Sequence, residues 1–443
     1  MNSEGSSVYP ISHLLGPQLI RLTGLLAVVL LPLWFNPWAD VAFEPAKIAL
    51  FLLLVLLAGS LALLTWLRNP TSLTAPPRAF RRWLSAYLAI IAAATIASVD
   101  PPASLWGTGD NLHGALVLAA GPLFALLLLL SWRTLAARQR QVTALILGSV
   151  PVALYGLIQA LGLDPLPWTT DAVSPVLSTL GRSNFLGAYL ALIIPFTLAR
   201  LWEPLPSGLT LTAARWRYGV VLALQVTCLL LTQARGAWLG ATVAAAACLG
   251  LLAYRWRDRR LAWAALTVCL VGGAWLLAMN RISLVRPVAA PAAAPAPAFS
   301  DLRLASGASR LVIWRTSAGL ITPRWLLGYG PATFAPLFMT HYPPALAAWQ
   351  AAAIVADPHN LVLEQWLTLG LAGLLTLAAV IAAFYRLTWR SLLSAADRPA
   401  QARSAAALAS VAGFLVQAQF NPNVIVTLAI FWIALALGVA EQS

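Results

Sequence analysis

Long apolar runs alternate with short breaks along almost the whole chain, and the breaks carry Pro, Gly or Arg. A helix needs roughly 17–25 apolar residues to cross the hydrocarbon core of a bilayer. About twelve runs reach that length. They lie near 18–36, 46–67, 83–99, 112–132, 141–162, 184–203, 217–233, 236–254, 261–280, 360–385, 403–420 and 424–440. Pro, Gly and Arg belong where backbone leaves the apolar phase. Residues 217–254 form a nearly continuous run that is too long for one crossing, so the pattern predicts a turn at 234–236. The longest polar stretch, about 281–358, separates the ninth and tenth runs. It opens on a Pro/Ala-rich linker from Pro287 to Pro297, reaching Phe299, whose composition predicts an extended chain. Ser309 to Leu320 then predicts an amphipathic helix lying at the membrane interface, with Leu311, Ile313, Trp314 and Leu320 apolar. Gly328-Tyr329-Gly330-Pro331 predicts a turn, and residues 331–340 a second interfacial helix. No repeat relates the two halves of the chain. The pattern therefore predicts an all-α polytopic membrane protein in three parts: helices one to nine in 1–280, a large loop in 281–358, and helices ten to twelve in 359–443.

Composition agrees. The chain is 443 residues long, 60% hydrophobic and 9% charged, where soluble domains run near 25% charged. Its net charge of +14 comes almost wholly from arginine. Arginine in alternate loops sets membrane orientation, and this explains the charge better than nucleic-acid binding. One set of loops holds Arg68, Arg78, Arg81 and Arg82, then Arg133, Arg138 and Arg140, then Arg200, Arg215 and Arg217, then Arg255, Arg257, Arg259 and Arg260, then Arg386, Arg390, Arg398 and Arg403. The alternate set holds Asp40, Glu44, Asp100, Asp110, Asp164 and Asp171 with few bases. The first set is thus expected in the cytoplasm, together with both termini. The first apolar run has no clear small-residue cleavage site, so no cleavable signal peptide is expected. Cys228, Cys248 and Cys269 lie inside apolar segments without metal or pairing spacing, and read as small core residues.

The exceptions to this charge rule point to chemistry. Arg182, Arg235, Arg281, Arg286, Arg303, Arg310, Arg315 and Arg324 fall on the outer side, where the rule disfavours them. Arg235 sits in a tight outer turn, and a bound anion would offset the cost of placing it at a membrane end; snorkelling is the plain alternative. Arg310 beside Ser309, at the start of the expected amphipathic helix, could join backbone donors on a phosphate. Arg182 lies just outside a helix start and offers the same possibility, with Asn184 as a cap. Arg315 reads equally as a charge on the polar face of its helix. Asp357-Pro358-His359-Asn360 stands at the outer mouth of an apolar run in a chain with only four histidines. These residues suit a helix start, with Pro358 in the first turn. At the lip of a bundle, however, His359 also suits a general base on an arriving hydroxyl. Glu364 lies one turn further on, inside the membrane, where it could orient Asn360 or serve as a buried hydrogen-bond partner. Gly370 and Gly373 read as close helix packing. Trp106 to Gly114, with Asp110 and His113, reads as loop structure or substrate lining. No Walker glycine loop, HExxH or external Asp-x-Asp pair occurs, so neither a nucleotide nor an obligate divalent metal is expected.

His359-Asn360, nine residues, then Gly370-x-x-Gly373 resembles the signature of the O-antigen ligase and O-antigen polymerase superfamily. Thr232 to Gly236 resembles that family's Ser/Ala-Arg-Gly element. Arg310 with Trp314, followed by Gly328-Tyr329-Gly330, is similar to its large periplasmic loop. The resemblance implies a membrane-embedded glycosyltransferase fold of the C type in a bacterial inner membrane. It implies transfer of a glycan from undecaprenyl diphosphate, on the periplasmic face, to lipid A core, a growing glycan or a protein hydroxyl. Transfer would invert the anomeric centre without a metal or other cofactor. Carried onto this chain, His359 is the base and Arg235 and Arg310 hold the diphosphate; Arg182 is a further candidate for that role, with Asn360, Glu364 and Arg315 supporting. An O-antigen ligase-like transferase is the expectation, with a polymerase or protein O-oligosaccharyltransferase as the alternative. A secondary transporter is disfavoured because such proteins show internal repeats around a midplane site.

Overall fold

The computed structural model describes residues 12–39, 41–109, 112–166, 168, 174–203, 211–279, 299–347 and 354–441. The linker at 287–297, with Arg281 and Arg286, lies outside them. Every described element is helical. The order is α1 (Ser12–Leu33), α2 (Glu44–Arg68), α3 (Arg78–Ile96), α4 (Pro101–Trp106), α5 (Ala115–Ser131), α6 (Leu135–Ala160), α7 (Ser183–Ala199) and α8 (Leu211–Leu231). It continues with α9 (Arg235–Trp256), α10 (Arg259–Ala278), α11 (Phe299–Leu320), α12 (Phe334–Met339), α13 (Pro344–Ala347), α14 (Leu361–Ser394), α15 (Arg398–Gln417) and α16 (Ile425–Ala440).

Each apolar run coincides with a helix. Eight of these helices are long and apolar enough to cross a membrane by length and composition; α5 and α16 are shorter apolar helices. The turn expected at 234–236 falls at 232–234: α8 ends at Leu231, Gln233 takes a left-handed φ of 57°, and α9 begins at Arg235. Helices α7 and α16 are apolar on all sides and almost wholly buried, as a core element must be. Helices α9 and α15 approach closely because Gly240 and Gly413 face one another; a Cβ on Gly240 would stand 2.7 Å from the Gly413 carbonyl oxygen. Helix α10 packs on α9 but contributes no buried residue. Cys228 and Cys248 are buried as expected, whereas Cys269 on α10 is exposed.

The helix ends fall into two sets. At one end Glu203 receives both Arg200 and Arg403, and Arg403 Nε lies 3.2 Å from Glu441 Oε1. Arg138 stands 3.8 Å from the same carboxylate and donates to the Ala440 carbonyl. Arginines expected in cytoplasmic loops thus tie α6, α7, α15 and α16 together as a buried ionic network. The starts of α2, α5, α7, α14 and α16 gather at the opposite end.

Three readings of the stretch from 299 to 373 need correction. Helix α11 begins at Phe299, ten residues before the expected start, so Ser309 and Arg310 lie in mid-helix. Their backbone N–H groups belong to the helix ladder and are not spare donors for a phosphate. Pro358 is not in the first turn of α14, because Asn360 is the cap and Leu361 the first helical residue. Gly370 does more than allow close packing. It takes φ 68° and ψ −174° and breaks α14. The break is closed by the Gly-Tyr-Gly segment: Tyr329 N and Gly330 N donate to Leu367 O and Thr368 O at 2.8 and 2.9 Å, and Leu371 N donates to Trp325 O at 2.8 Å. A Cβ on Gly370 would overlap the Leu326 carbonyl, and one on Gly328 would meet Thr368 O at 2.6 Å. Backbone freed by the break is therefore satisfied by a second backbone segment, the condition for irregular structure in an apolar bundle.

Candidate functional site

His359 occupies the turn that leads into α14, with a left-handed φ of 53°. Non-glycine residues seldom adopt this region, although His tolerates it better than most. Two neighbours hold it. Asp357 Oδ1 accepts the His359 backbone N–H at 2.7 Å and stands 3.0 Å from Nδ1. Trp314 on α11 donates its indole N–H to the Pro358 carbonyl at 2.9 Å. Asn360 caps α14, its Oδ1 accepting from Leu363 N at 3.0 Å, and Leu361 N donates to Ala418 O at 2.9 Å. The Asp-Pro-His-Asn turn is thereby fastened to α11 on one side and to the end of α15 on the other.

Beside this turn opens a cavity of about 620 Å³. His359, Asp357, Glu364, Arg182, Glu44 and His113 line it, with Asn423 at the start of α16. The volume falls in the range of small-ligand sites, roughly 300–1,000 Å³. Arg182 is exposed and stands at the N-cap position of α7, so its guanidinium and that helix's N-terminal N–H groups share one end. Glu364 reaches the cavity from the first turn of α14.

Arg235 and Arg310 stand next to this cavity and do not line it. Gly236 brings the start of α9 against the 418–424 turn: a Cβ there would lie 2.8 Å from Asn421 Nδ2. Trp314 brings α11 to the same turn, its ring 6.2 Å from that of Phe420. Burial, and then repulsion from Arg235, pulls the Arg310 guanidinium below its ordinary pKa, while Asp357 works the other way. Two half-buried guanidinium groups thus repel one another beside Asp357, a setting that favours an anion. Arg315 lies on the exposed side of α11 and is not brought to the cavity. Arg324 is structural: it donates to Ala97 O at 2.7 Å and lies over the Tyr329 ring.

The sequence offered His113 as loop structure or substrate lining and Glu44 only as an outer-side charge; both line the cavity. Glu44 Oε1 stands 3.0 Å from His113 Nε2 and accepts from Ile425 N at 2.8 Å. Burial opposes the charged imidazole of His113, but the Glu44 hydrogen bond and charge, with Glu364 and Asp357, outweigh it and raise the pKa. Burial likewise opposes the Asp357 carboxylate, but the charge and hydrogen bonds of His359, and the charge of His113, hold its pKa low. The sequence signal for Glu44 was its position at the outer end of an apolar run.

Residues 219–378 match the family model described as O-antigen ligase. The match runs from α8 through the polar loop and past the break in α14, and so takes in Arg235, Arg310 and His359. It supports the resemblance to the O-antigen ligase and polymerase superfamily. No curated protein matches the chain. Members of the O-antigen ligase family are glycosyltransferase-type enzymes. Arg182, Glu44 and His113 lie outside the matched stretch, and the fold alone brings them to it.

Proposed function

We propose that the chain is an O-antigen ligase-like, inverting glycosyltransferase of the C type. It moves a glycan from undecaprenyl diphosphate to an acceptor hydroxyl at the extracytoplasmic face of a bacterial inner membrane. The observation that carries this reading is the shared cavity of His359 and Arg182, flanked by Arg235 and Arg310, beside the stretch that matches the O-antigen ligase family. In the same reading about twelve helices cross the bilayer, as the apolar runs suggest, with both termini in the cytoplasm.

A glycosyl diphosphate is already an activated donor. Transfer then needs removal of the acceptor proton and stabilisation of the departing diphosphate charge. Asp357 near Nδ1 favours the tautomer that leaves Nε2 of His359 as the basic atom. The acceptor oxygen attacks the anomeric carbon while its proton passes to Nε2. The bond from that carbon to the diphosphate oxygen breaks, and undecaprenyl diphosphate leaves with the electron pair. Guanidinium groups of Arg182, Arg235 and Arg310 meet the charge that develops. A single displacement inverts the centre.

Binding of undecaprenyl diphosphate to purified protein, with and without Arg235→Ala and Arg310→Ala, tests the donor side. The double variant is expected to bind at least tenfold more weakly, the loss of one charge-assisted hydrogen bond or more. A double variant with unchanged affinity and turnover would remove the diphosphate assignment. Transfer is expected to persist in EDTA, and loss restored by one divalent ion would refute the metal-free course.

A further inference from the structure

The walls of the cavity differ in charge. Arg182 faces it at the end of α7, while Glu44, Asp357 and Glu364 are three carboxylates on its other elements. A diphosphate cannot settle among carboxylates, so the donor belongs with the arginines, and the carboxylate wall is left for the other substrate. Glu44 is built to receive it. Its Oε1 is held by His113 and by the Ile425 N–H, its side chain is 22% exposed, and it fronts the cavity with a second oxygen that accepts from none of the described residues. Beside it Asn423 is 9% exposed, and its side-chain oxygen has no hydrogen-bond donor among the described residues. A buried acceptor without a donor is costly unless a ligand supplies one. Available carboxylate and amide oxygens on one wall call for a ligand rich in hydroxyl donors and free of negative charge.

We infer that Glu44, with Asn423, forms the subsite for the acceptor, that His113 orients Glu44, and that the accepting sugar is uncharged at its reacting end. This rests on the transferase reading above. Hydroxyls next to the reacting one donate to Glu44 Oε2 and Asn423 Oδ1, which turns the reacting hydroxyl toward His359. A phosphate or carboxylate on that sugar would be repelled by Glu44.

The test is a set of initial-rate measurements on purified full-length protein with undecaprenyl-diphosphate oligosaccharide as donor. Lipid A core is the acceptor, or the glycan of a second donor molecule if lipid A core is not used. Glu44→Gln is expected to raise the acceptor KM about tenfold, the loss of one hydrogen bond to a charged group, with the donor KM unchanged. His113→Gln is expected to raise the same constant by less, since it acts through Glu44. An acceptor phosphorylated on its reacting sugar should be used poorly by wild type, and Glu44→Gln should narrow that discrimination. An unchanged acceptor KM in Glu44→Gln overturns the inference, as does a joint fall in kcat and donor affinity, which would mark Glu44 as structural. His359→Ala run in parallel separates the two claims. A dead His359→Ala with an unmoved acceptor KM in Glu44→Gln sinks the acceptor subsite alone. A fully active His359→Ala, or no transfer by wild type to either acceptor, sinks the transferase mechanism and the subsite with it.

Discussion

His359 is held in a backbone region that costs roughly 1–2 kcal/mol for an L-residue. Asp357 and Trp314 offset that cost, so each should matter to activity through the turn that holds His359. Trp314→Phe keeps the ring against Phe420 but removes the hydrogen bond to Pro358 O. It is expected to lower kcat roughly fivefold, equivalent to about 1 kcal/mol for one hydrogen bond, with donor binding retained; an unchanged kcat would show that the turn does not need this tether. The His113–Glu44 pair gives a pH dependence of defined sign. The pKa of His113 is raised above its ordinary 6.5, so the pair's contribution to stability is complete below that value and is lost as pH rises through the raised one. Between about pH 5.5 and about pH 8.5 the unfolding midpoint of wild type in detergent should therefore fall more than that of His113→Gln. Equal slopes would contradict the pairing. At this scale the sequence was only partly legible. His359, Glu364 and Arg182 could be read as site candidates because each sits at the outer end of an apolar run, and all three line the cavity. His113 could be read only as loop structure or substrate lining and Glu44 only as an outer-side charge; their pairing was hidden because they stand 69 residues apart in the chain and only the fold makes them neighbours.

The α-helices themselves follow from apolar run length, and even the short break between α8 and α9 could be read from it. What lay beyond the pattern was irregular backbone. A glycine inside an apolar run is compatible with an unbroken helix, so nothing local told that Gly370 breaks α14 and that Gly328-Tyr329-Gly330 completes it. The true start of α11 was hidden by the Pro/Ala composition that precedes it, which is why Arg310 was expected at a helix end. The break gives a sharp prediction. Gly370→Ala must place a Cβ onto the Leu326 carbonyl in a region nearly restricted to glycine. Destabilisation of about 2 kcal/mol or more is expected, read as a lower unfolding midpoint in detergent. Gly250→Ala, in the regular helix α9, would meet nothing within 4 Å and serves as the comparison. Equal midpoints for the two variants would mean that the break is not required.

At the scale of the whole molecule, the two ends of the bundle do different work. One end is locked by buried Arg–Glu pairs that join α6, α7, α15 and α16. The other is open, with a cavity walled by arginine on one side and carboxylates on the other. Removing one member of a buried pair leaves an uncompensated charge and typically costs about 3–5 kcal/mol, so the closed end resists change while the open end is free to bind. The alternating arginine loops pointed to this division, although Arg138, Arg200 and Arg403, expected in cytoplasmic loops, are buried by the fold. The central claim is that His359 moves the acceptor proton in a glycan transfer. Its most direct test offers undecaprenyl-diphosphate oligosaccharide to purified wild type and His359→Ala, with lipid A core in one reaction and no added acceptor in the other. Wild type should consume donor, onto lipid A core if it is a ligase or by lengthening the glycan if it is a polymerase, and His359→Ala should bind donor yet transfer nothing. Donor consumption that is equal in wild type and His359→Ala would contradict the account.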